Sequence, residues 1–437
     1  MTQASIVDIE DFISSEKQIS SDGDQVRDAG RAVFEKIGLP SARRGNEKWK
    51  YTNIAPIVRH SYKIANRLEI DDASVIKSMA PWDDDWLNLV FVNGHFSSKL
   101  SSKIDGNPEI CSLADELIKG SSNSSIFSHL GQYIDISDDG FAALNTALLS
   151  DGAVIFIPPE TKSERPINLI FYSDGKLETI VNPRVLIVAG EGSSASVIES
   201  YVGGSDEVNF NNSVSEIYVG KSSSIYHYRL MDEEEGSYDV GYGRVVVHED
   251  GHYFSRAFFK GGNLGRYDLK VEISGDSGSC DLQGLYFTSG SQHMDNFINV
   301  DHQAPNGTSN LFYKGILDGR SRAVFGGTVL VRKEAQKTDS VQTDKNLLLS
   351  SNAEVDSKPA LFIYADDVKC AHGATAGNID EDTVFYMRSR GIDLEEASRL
   401  LIYGFAEEII NKVEIDGLRT YLQSLFLSSI PTYRFEF

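Results

Sequence analysis

Two residues near the C-terminal end of the chain, Cys370 and His372, are spaced so that they could bind a metal ion together. They follow an apolar, β-favouring run at residues 361–364, and residues two apart in an extended chain point to the same face. A thiol sulfur and an imidazole nitrogen are both good ligands for soft or borderline metal ions. A half-buried cysteine beside a surface histidine is the commoner explanation of such a pair, so the spacing alone marks only a candidate metal site.

Short strands that recur from about residue 166 onwards are the elements that would position this pair. Segments of about five alternating residues are separated by Gly, Ser, Asn and Asp. Equivalent turns fall at Gly192, Ser222, Gly251 and Gly278, in steps of 30, 29 and 27 residues. A nearly constant repeat with no interrupting helix predicts a β-solenoid over about residues 166–385. An antiparallel sandwich, in which turns also recur about every ten residues, is the alternative.

Residues 1–160 are predicted to form an N-terminal helical and mixed region ahead of the repeats. Residues 1–21 show no clear hydrophobic period and are expected to form an arm, whereas residues 22–37 have the pattern of an amphipathic helix. A basic and aromatic segment follows. We predict that it is a loop that packs Trp49 and Tyr51 onto the body of the protein, rather than a binding site.

The β-helix core is assigned to residues 161–390 and a C-terminal helical subdomain to residues 391–437. Asp393 has the spacing of an N-cap for a helix at residues 393–413, and a second helix is predicted at residues 417–427. Both helices carry an apolar stripe. Such stripes usually face a core, but a helix pair at the end of a solenoid is also well placed to cap it or to dock a partner.

The composition excludes several classes of protein. The chain has 437 residues and a formal net charge of −23, which argues against nucleic acid and anionic membrane as primary partners. Its three cysteines are widely spaced and odd in number, so they do not form a disulfide framework and indicate a reducing compartment. The sequence contains no apolar run long enough to span a bilayer and begins without the pattern of a signal peptide. We therefore predict a cytoplasmic protein.

Two short motifs resemble catalytic sites without their structural context. Residues 248–252, HEDGH, match a zinc-protease pattern, but that chemistry needs both histidines on one face of a helix, and Asp-Gly lies between them here. Residues 220–222, GKS, resemble the end of a phosphate-binding loop, but Ser215 replaces its first glycine and no helix follows. We predict no catalytic residue, no cofactor-binding residue and no ATP hydrolysis by this chain.

The strongest similarity to a known family lies in residues 338–392, which read TDSVQTDKNLLLSSNAEVDSKPALFIYADDVKCAHGATAGNIDEDTVFYMRSRGI. This segment closely resembles the C-terminal core of the SufB/SufD family of iron–sulfur cluster assembly scaffolds. Weaker similarity is found at residues 46–54, NEKWKYTNI, and at residues 141–158, FAALNTALLSDGAVIFIP. The resemblance implies a mainly β protein, with a right-handed parallel β-helix flanked by an N-terminal α/β region and a C-terminal helical subdomain.

The resemblance also implies a shared metal site. In the SufB branch the positions equivalent to Asp344 and Gly373 carry a functional Cys and a functional Glu, and both are absent here. His372 and Cys370, in contrast, match the SufD branch. One thiol and one imidazole leave most iron coordination positions empty. The resemblance thus implies a transient iron–sulfur cluster shared with a SufB-like paralogue at the end of the β-helix. His372 is the main metal ligand expected on this chain, with Cys370 in support, and no cluster is expected to be tightly bound by the chain alone.

The function implied is that of a non-catalytic scaffold subunit, with a SufC-like ATPase docked on the C-terminal helices. Two alternatives from other classes stay open. One is a β-solenoid enzyme that acts on acidic polysaccharide, which the strong negative charge fits poorly. The other is a purely structural homodimer.

Overall fold

The computed structural model describes residues 20–40, 46–104, 106–120, 125–175, 178–203 and 207–431. The arm predicted for residues 1–21 lies almost entirely outside these ranges. The described chain is mainly β, with a β-solenoid of about eight turns between an N-terminal α/β region and C-terminal helices. The predicted fold class is therefore confirmed. The sandwich alternative is wrong, because the strands of the repeats pair in parallel.

Helices and short strands precede the repeats. Helix α1 starts after Ser20, whose hydroxyl accepts a hydrogen bond from the Gly23 N–H, and ends at Gly38, as the sequence predicts. The elements are α1 (Ser21–Ile37), α2 (Ala55–Val58), β1 (Lys63–Ile64), α3 (Ser74–Met79), β2 (Leu87–Val92), β3 (His95–Phe96), β4 (Glu109–Ser112), α4 (Leu113–Lys119), a 3-10 helix (Ser125–Ser128), α5 (Gly140–Ala147) and β5 (Gly152–Ile157).

Two sheets build the solenoid, and successive strands of the repeats alternate between them. Sheet 1 has the order β4-β5-β8-β10-β12-β14-β16-β18-β20, with β1 and β7 beside this path, and sheet 2 has the order β3-β2-β6-β9-β11-β13-β15-β17-β19-β21. The strands from the first repeat onwards are β6 (Ile167–Ser173), β7 (Thr179–Val181), β8 (Arg184–Ala189), β9 (Ser194–Gly203), β10 (Asn209–Val219), β11 (Ser224–Glu233), β12 (Ser237–Val247), β13 (His252–Gly261), β14 (Leu264–Ile273), β15 (Ser279–Thr288), β16 (His293–His302), β17 (Thr308–Leu317), β18 (Arg322–Val331), β19 (Asp339–Leu348), β20 (Glu354–Ile363) and β21 (Lys369–Gly377).

The sheets begin earlier in the chain than the sequence repeats. Strand β2 pairs in parallel with β6, and β5 pairs in parallel with β8, so residues ahead of position 160 already contribute to both sheets. At the other end, β21 stops at Gly377. The division of the chain at residues 160 and 390 stays a prediction.

A left-handed residue in each turn sets the repeat length. Gly192 and Ser222 have φ values of 67° and 53°, at the positions where the sequence predicts equivalent turns. In the next two turns the left-handed residue lies one position before the aligned glycine, at Asp250 and Ser277, with φ values of 52° and 59°. Asp250 therefore interrupts the HEDGH motif in a turn between two strands, and not in a helix.

The interior of the solenoid, its lumen, contains a buried ionic cluster within an apolar core. Glu199 accepts hydrogen bonds from Tyr201 (2.7 Å) and Ser215 (2.9 Å), and lies 3.1 Å from the His227 Nε2. The Arg229 guanidinium pairs with Glu199 and stacks 4.2 Å from the centre of the Tyr201 ring. Burial alone would raise the pKa of Glu199, but the Arg229 charge and these hydrogen bonds outweigh it and lower the pKa to about 2.

The N-terminal region packs on the outer faces of both sheets, with α3 against sheet 2 and the aromatic segment around Trp49 against sheet 1. Trp49 is buried there, with its Nε1 donating to Asp139 (2.8 Å) and its ring 4.1 Å from the Arg266 guanidinium carbon. The predicted packing of this aromatic segment is thus confirmed for Trp49. It is wrong for Tyr51, which is 38% exposed.

Three C-terminal helices cover the outer face of sheet 2. They are α6 (Glu381–Ser389), α7 (Leu394–Ile410) and α8 (Asp416–Ser429). Asp393 caps α7 by accepting a hydrogen bond from the Glu396 N–H (2.9 Å), as predicted. The Lys314 ammonium, on β17, donates to the Phe405 carbonyl (2.7 Å) and so fixes α7 on the sheet. Among the described helices, none is long and apolar enough to cross a membrane.

Replacing Arg229 by methionine should lower the free energy of unfolding by about 3–5 kcal/mol, because Glu199 would keep a buried charge without its cation. Urea denaturation measures the loss. The double variant Arg229→Met/Glu199→Gln should recover a large part of it. As a matched control, Arg322→Met removes an exposed arginine that pairs with Glu354 at 2.9 Å and should cost under about 1 kcal/mol. Equal losses in the two single variants would contradict this account.

Candidate functional site

The solenoid is open at its C-terminal end. Strand β21 pairs only with β19, and β20 pairs only with β18, among the residues that the structure describes. Both strands therefore have a free edge of backbone N–H and C=O groups, which is a template for pairing with another chain. We call this surface the open end.

Cys370 and His372 lie on β21, on the same face of the strand, as the sequence predicts. Their partners in register are Ser340 and Gln342, which are fully buried, so both side chains are on the lumen side of the open end. Cys370 is half-buried against the luminal core, whereas His372 is exposed. The structure thus brings the predicted pair together where a second molecule can reach it.

The two side chains differ in their readiness to bind a metal ion. Burial, and to a lesser extent the charge of Asp339, raise the pKa of the Cys370 thiol, so it is protonated at neutral pH and must lose a proton before it coordinates. No group of three His, Cys, Asp or Glu side chains that could hold a metal ion occurs in the described chain. A metal ion bound at this pair would need further ligands from outside the described residues.

A polar floor, formed by Gln342, Asp344 and Asn346 of β19, lies one coil below the pair. Asp344 Oδ2 accepts hydrogen bonds from Asn346 Nδ2 (2.8 Å) and from the Ser357 hydroxyl on β20. The Tyr286 hydroxyl donates to Asn346 Oδ1 at 2.5 Å. These bonds connect the last strand of sheet 1 to coils deeper in the solenoid.

The polar floor is incompletely satisfied. Both polar atoms of the Gln342 amide, and Asp344 Oδ1, are buried without a hydrogen-bond partner among the described residues. Burial raises the pKa of Asp344 to about 6, although the hydrogen bonds from Ser357 and Asn346 oppose the shift. Burying an ionised carboxylate lowers the stability of the fold, so a buried carboxylate beside a candidate site is itself a candidate for a functional role. The sequence identified Asp344 only as a departure from the SufB branch. The missed signal was the run of polar residues at alternate positions of β19.

Exposed apolar residues border the open end. Phe362 and Tyr364, at the end of β20, are 51% and 65% exposed, and Val341 on β19 is 44% exposed. Large apolar side chains at a free strand edge are typical of an interaction surface. Lys358, which is also on β20, forms an ion pair with Glu47 (2.5 Å), which connects the open end to the N-terminal region.

The two catalytic-like motifs lie at turns between strands. His248 and His252 flank the left-handed turn between β12 and β13, and the His252 Nδ1 is 2.6 Å from the Ser279 hydroxyl. Lys221 of the GKS motif lies in the turn before β11 and pairs with Glu249 at 2.9 Å. Neither motif has the helix that its chemistry needs, so the predicted strand-to-strand setting of both motifs is confirmed.

Replacing Asp344 by asparagine should stabilise the protein at about pH 8 and lose that effect at about pH 4. The folded chain holds the Asp344 proton more tightly than the unfolded chain. The cost of the buried carboxylate therefore appears as pH rises through the folded pKa of about 6, and is absent below the ordinary value of 3.8. The shift corresponds to at most about 3 kcal/mol. Thermal unfolding midpoints at both pH values measure the effect.

The matched control is Asp366→Asn, which changes an exposed carboxylate close in sequence to the open end. Its unfolding midpoint should differ little from that of the wild type at either pH. An Asp344→Asn variant that is equally destabilised at both pH values would show that the carboxylate is a structural requirement and would sink the prediction.

Two family models match most of the chain. The model described as "SUF system FeS cluster assembly, SufBD core domain" matches residues 171–405, and "SufBD protein N-terminal region" matches residues 12–169. An iron–sulfur cluster assembly SufBD family protein of Synechocystis is 31% identical over 91% of this chain and 89% of its own length. The iron–sulfur cluster assembly protein SufD of Escherichia coli is 29% identical over 91% of this chain and 90% of its own. The chloroplastic protein ABCI7 of Arabidopsis thaliana is 30% identical over 92% of this chain and 85% of its own. The chain therefore belongs to the SufBD family of iron–sulfur cluster assembly proteins.

Proposed function

We propose that the chain is a non-catalytic scaffold subunit whose open end pairs with a SufB-like subunit, so that a nascent iron–sulfur cluster forms at the junction. The observation that carries this proposal is the free edge of β20 and β21, where the described residues give Cys370 and His372 too few neighbouring ligands to hold a metal ion alone. The Synechocystis and Escherichia coli relatives are iron–sulfur cluster assembly proteins, which supports an iron–sulfur cluster as the cargo.

His372 is the principal ligand from this chain in the proposed site. It is exposed on the strand edge, and a neutral imidazole coordinates iron without first losing a proton. Cys370 has a supporting role, because its half-buried thiol has a raised pKa and no cation is paired with it among the described residues. Both side chains reach the cluster from one side only, and the SufB-like subunit supplies the remaining ligands.

The C-terminal helices are the proposed contact for a SufC-like ATPase. Their inner faces pack on sheet 2, while Phe385 and Tyr386 of α6 and Leu400 of α7 are 74%, 59% and 45% exposed. Exposed apolar side chains on helices already anchored to the solenoid are suited to docking a partner. Removing residues 393–437 altogether would also expose the sheet beneath, so single substitutions on the outer face test the contact more sharply.

The compartment proposed is the cytoplasm. All three cysteines are free, which suits a reducing environment. The Synechocystis and Escherichia coli relatives are named for iron–sulfur cluster assembly, which favours the scaffold over the polysaccharide-enzyme alternative. A homodimer that forms through the open end is the remaining alternative, and the co-purification experiment below tests it.

His372→Ala should lower cluster yield on the co-expressed complex about tenfold or more without dissociating it, because a lost metal ligand weakens binding far more than one exposed imidazole stabilises an interface. Cys370→Ser should have a smaller effect. Iron and acid-labile sulfide, measured per complex after anaerobic purification, give the yield, and co-purification reports assembly. His248→Ala, which changes a half-buried histidine in a distant turn, is the control.

Wild-type yield in His372→Ala would refute the ligand assignment, and loss of the complex would make the histidine structural. If the chain co-purifies only with itself, the homodimer alternative is right and the scaffold proposal fails.

Phe385→Asp and Leu400→Asp should each weaken co-purification with the ATPase and leave the SufB-like subunit bound, because each places a charge in the proposed apolar contact. Tyr364→Asp, at the open end, should weaken co-purification with the SufB-like subunit and leave the ATPase bound. Quantitative pull-down from cells that express all three subunits measures both. The assignment fails if the two kinds of variant lose the same partner, or if neither loses any.

A further inference from the structure

A polar cleft of about 290 Å³ opens on the side of the solenoid, where four successive turns lead from sheet 2 to sheet 1. Glu235 lies in the first of these turns and Asn263 in the second. The third contributes residues 290–292 and the fourth contributes Gly319 and Arg320. The cleft is lined by side chains and backbone of the turns alone, and neither the polar floor nor the C-terminal helices contribute to it.

Glycine in the left-handed region keeps this cleft open. Gly290 and Gly319 have φ values of 58° and 67°, where residues with a side chain are strained. A Cβ built on Gly290 would meet no atom within 4 Å, so open space lies above it. The turns themselves approach closely, because a Cβ on Gly319 would lie 3.0 Å from the Gly290 nitrogen. The floor of the cleft is therefore bare backbone.

The backbone and side-chain amides of the third turn supply hydrogen-bond donors. The N–H groups of Gly290 and Ser291 have no acceptor among the described residues. The Gln292 side-chain carbonyl accepts from the Ser289 N–H (2.8 Å), which fixes the side chain and leaves its NH2 group without a partner in the described chain. Consecutive free N–H groups in such a turn favour a bound anionic group.

Opposite charges stand at the two ends of the cleft. Arg320 extends from the fourth turn and Glu235 from the first; both residues are exposed, and within the described residues neither forms an ion pair. Three coil spacings, about 14 Å of backbone, separate them, and both side chains are long enough to reach into the space between. Arg320 and the free N–H groups are neighbours, so positive potential is concentrated at one end of the cleft.

We propose that this cleft binds a free α-amino acid, whose carboxylate bonds to Arg320 and the N–H groups of Gly290 and Ser291, and whose ammonium bonds to Glu235. A simple anion would leave the Glu235 carboxylate unpaired, and a simple cation would leave Arg320 unpaired. A small zwitterion satisfies both charges and uses the backbone donors at the same time. The proposal is independent of the scaffold function and of the open end.

Saturation-transfer NMR on the purified full-length chain, with each of the common amino acids as probe, tests the proposal. At least one amino acid should bind, and its N-acetyl and carboxamide derivatives should bind about tenfold more weakly or worse, because each lacks one charge. Arg320→Ala and Glu235→Gln should each cause a similar loss. Arg322→Ala, which removes an exposed arginine two residues from Arg320, should bind like the wild type.

Binding of inorganic phosphate or of the N-acetyl derivative as strongly as the amino acid would identify a simple anion site and overturn the proposal. So would an absence of binding by every amino acid, or wild-type affinity in Arg320→Ala. Circular dichroism of each variant distinguishes loss of binding from loss of fold, and a variant that fails to fold is replaced by Arg320→Gln, for which the same loss is expected.

Discussion

The in-register stacking of parallel strands is the constraint on which the rest of the molecule depends. Because each coil repeats the register of the coil below it, every lumen-facing position belongs to a column that runs along the solenoid. One column passes from Leu89 through Leu169, Glu199, Arg229, Ala257, Gly284, Tyr313 and Asp344, and ends at Ala374 on the open end. A change at one position therefore acts on the residues directly above and below it in the column.

Buried polar groups in these columns differ in how fully they are paired, depending on their position along the solenoid. Deep in the solenoid, Glu199 has a cation directly above it and several hydrogen-bond donors, so its charge is compensated. Near the open end, Asp344 has two donors and no ion pair among the described residues, and Gln342 has no partner for its amide. Natural structures seldom leave such groups unsatisfied without a reason. Buried atoms without a partner among the described residues also occur deeper in the lumen, at Arg229 Nε and the Tyr267 hydroxyl, so the polar floor differs from the Glu199 cluster chiefly in having no cation.

Local features of the fold could be predicted from the sequence, and long-range ones could not. The turns at Gly192 and Ser222 and the cap at Asp393 follow from backbone preferences within a few residues, so their residue types identify them. The pairing of β2 with β6 joins segments about eighty residues apart, and no short pattern encodes it. The Glu199–Arg229 pair and the polar floor were missed for the same reason, since the partners become neighbours only when successive coils stack in register.

Among the described residues, the open end lacks strand partners and lacks further metal ligands, and the pairing of one second chain could supply both. Its last strands leave a row of backbone groups without strand partners, and its candidate metal-binding pair has too few ligands, in the part of the chain that the structure describes. Exposed Phe362 and Tyr364 add apolar area at the same edge. A second chain that paired with the free strands would bury this area and would, in the same register, bring its own side chains to the lumen face opposite Cys370 and His372. Strand pairing fixes position to a fraction of a residue spacing, because a slip by one residue would turn every side chain to the other face. The geometry that leaves the solenoid unfinished is thus also the geometry that would place the missing ligands.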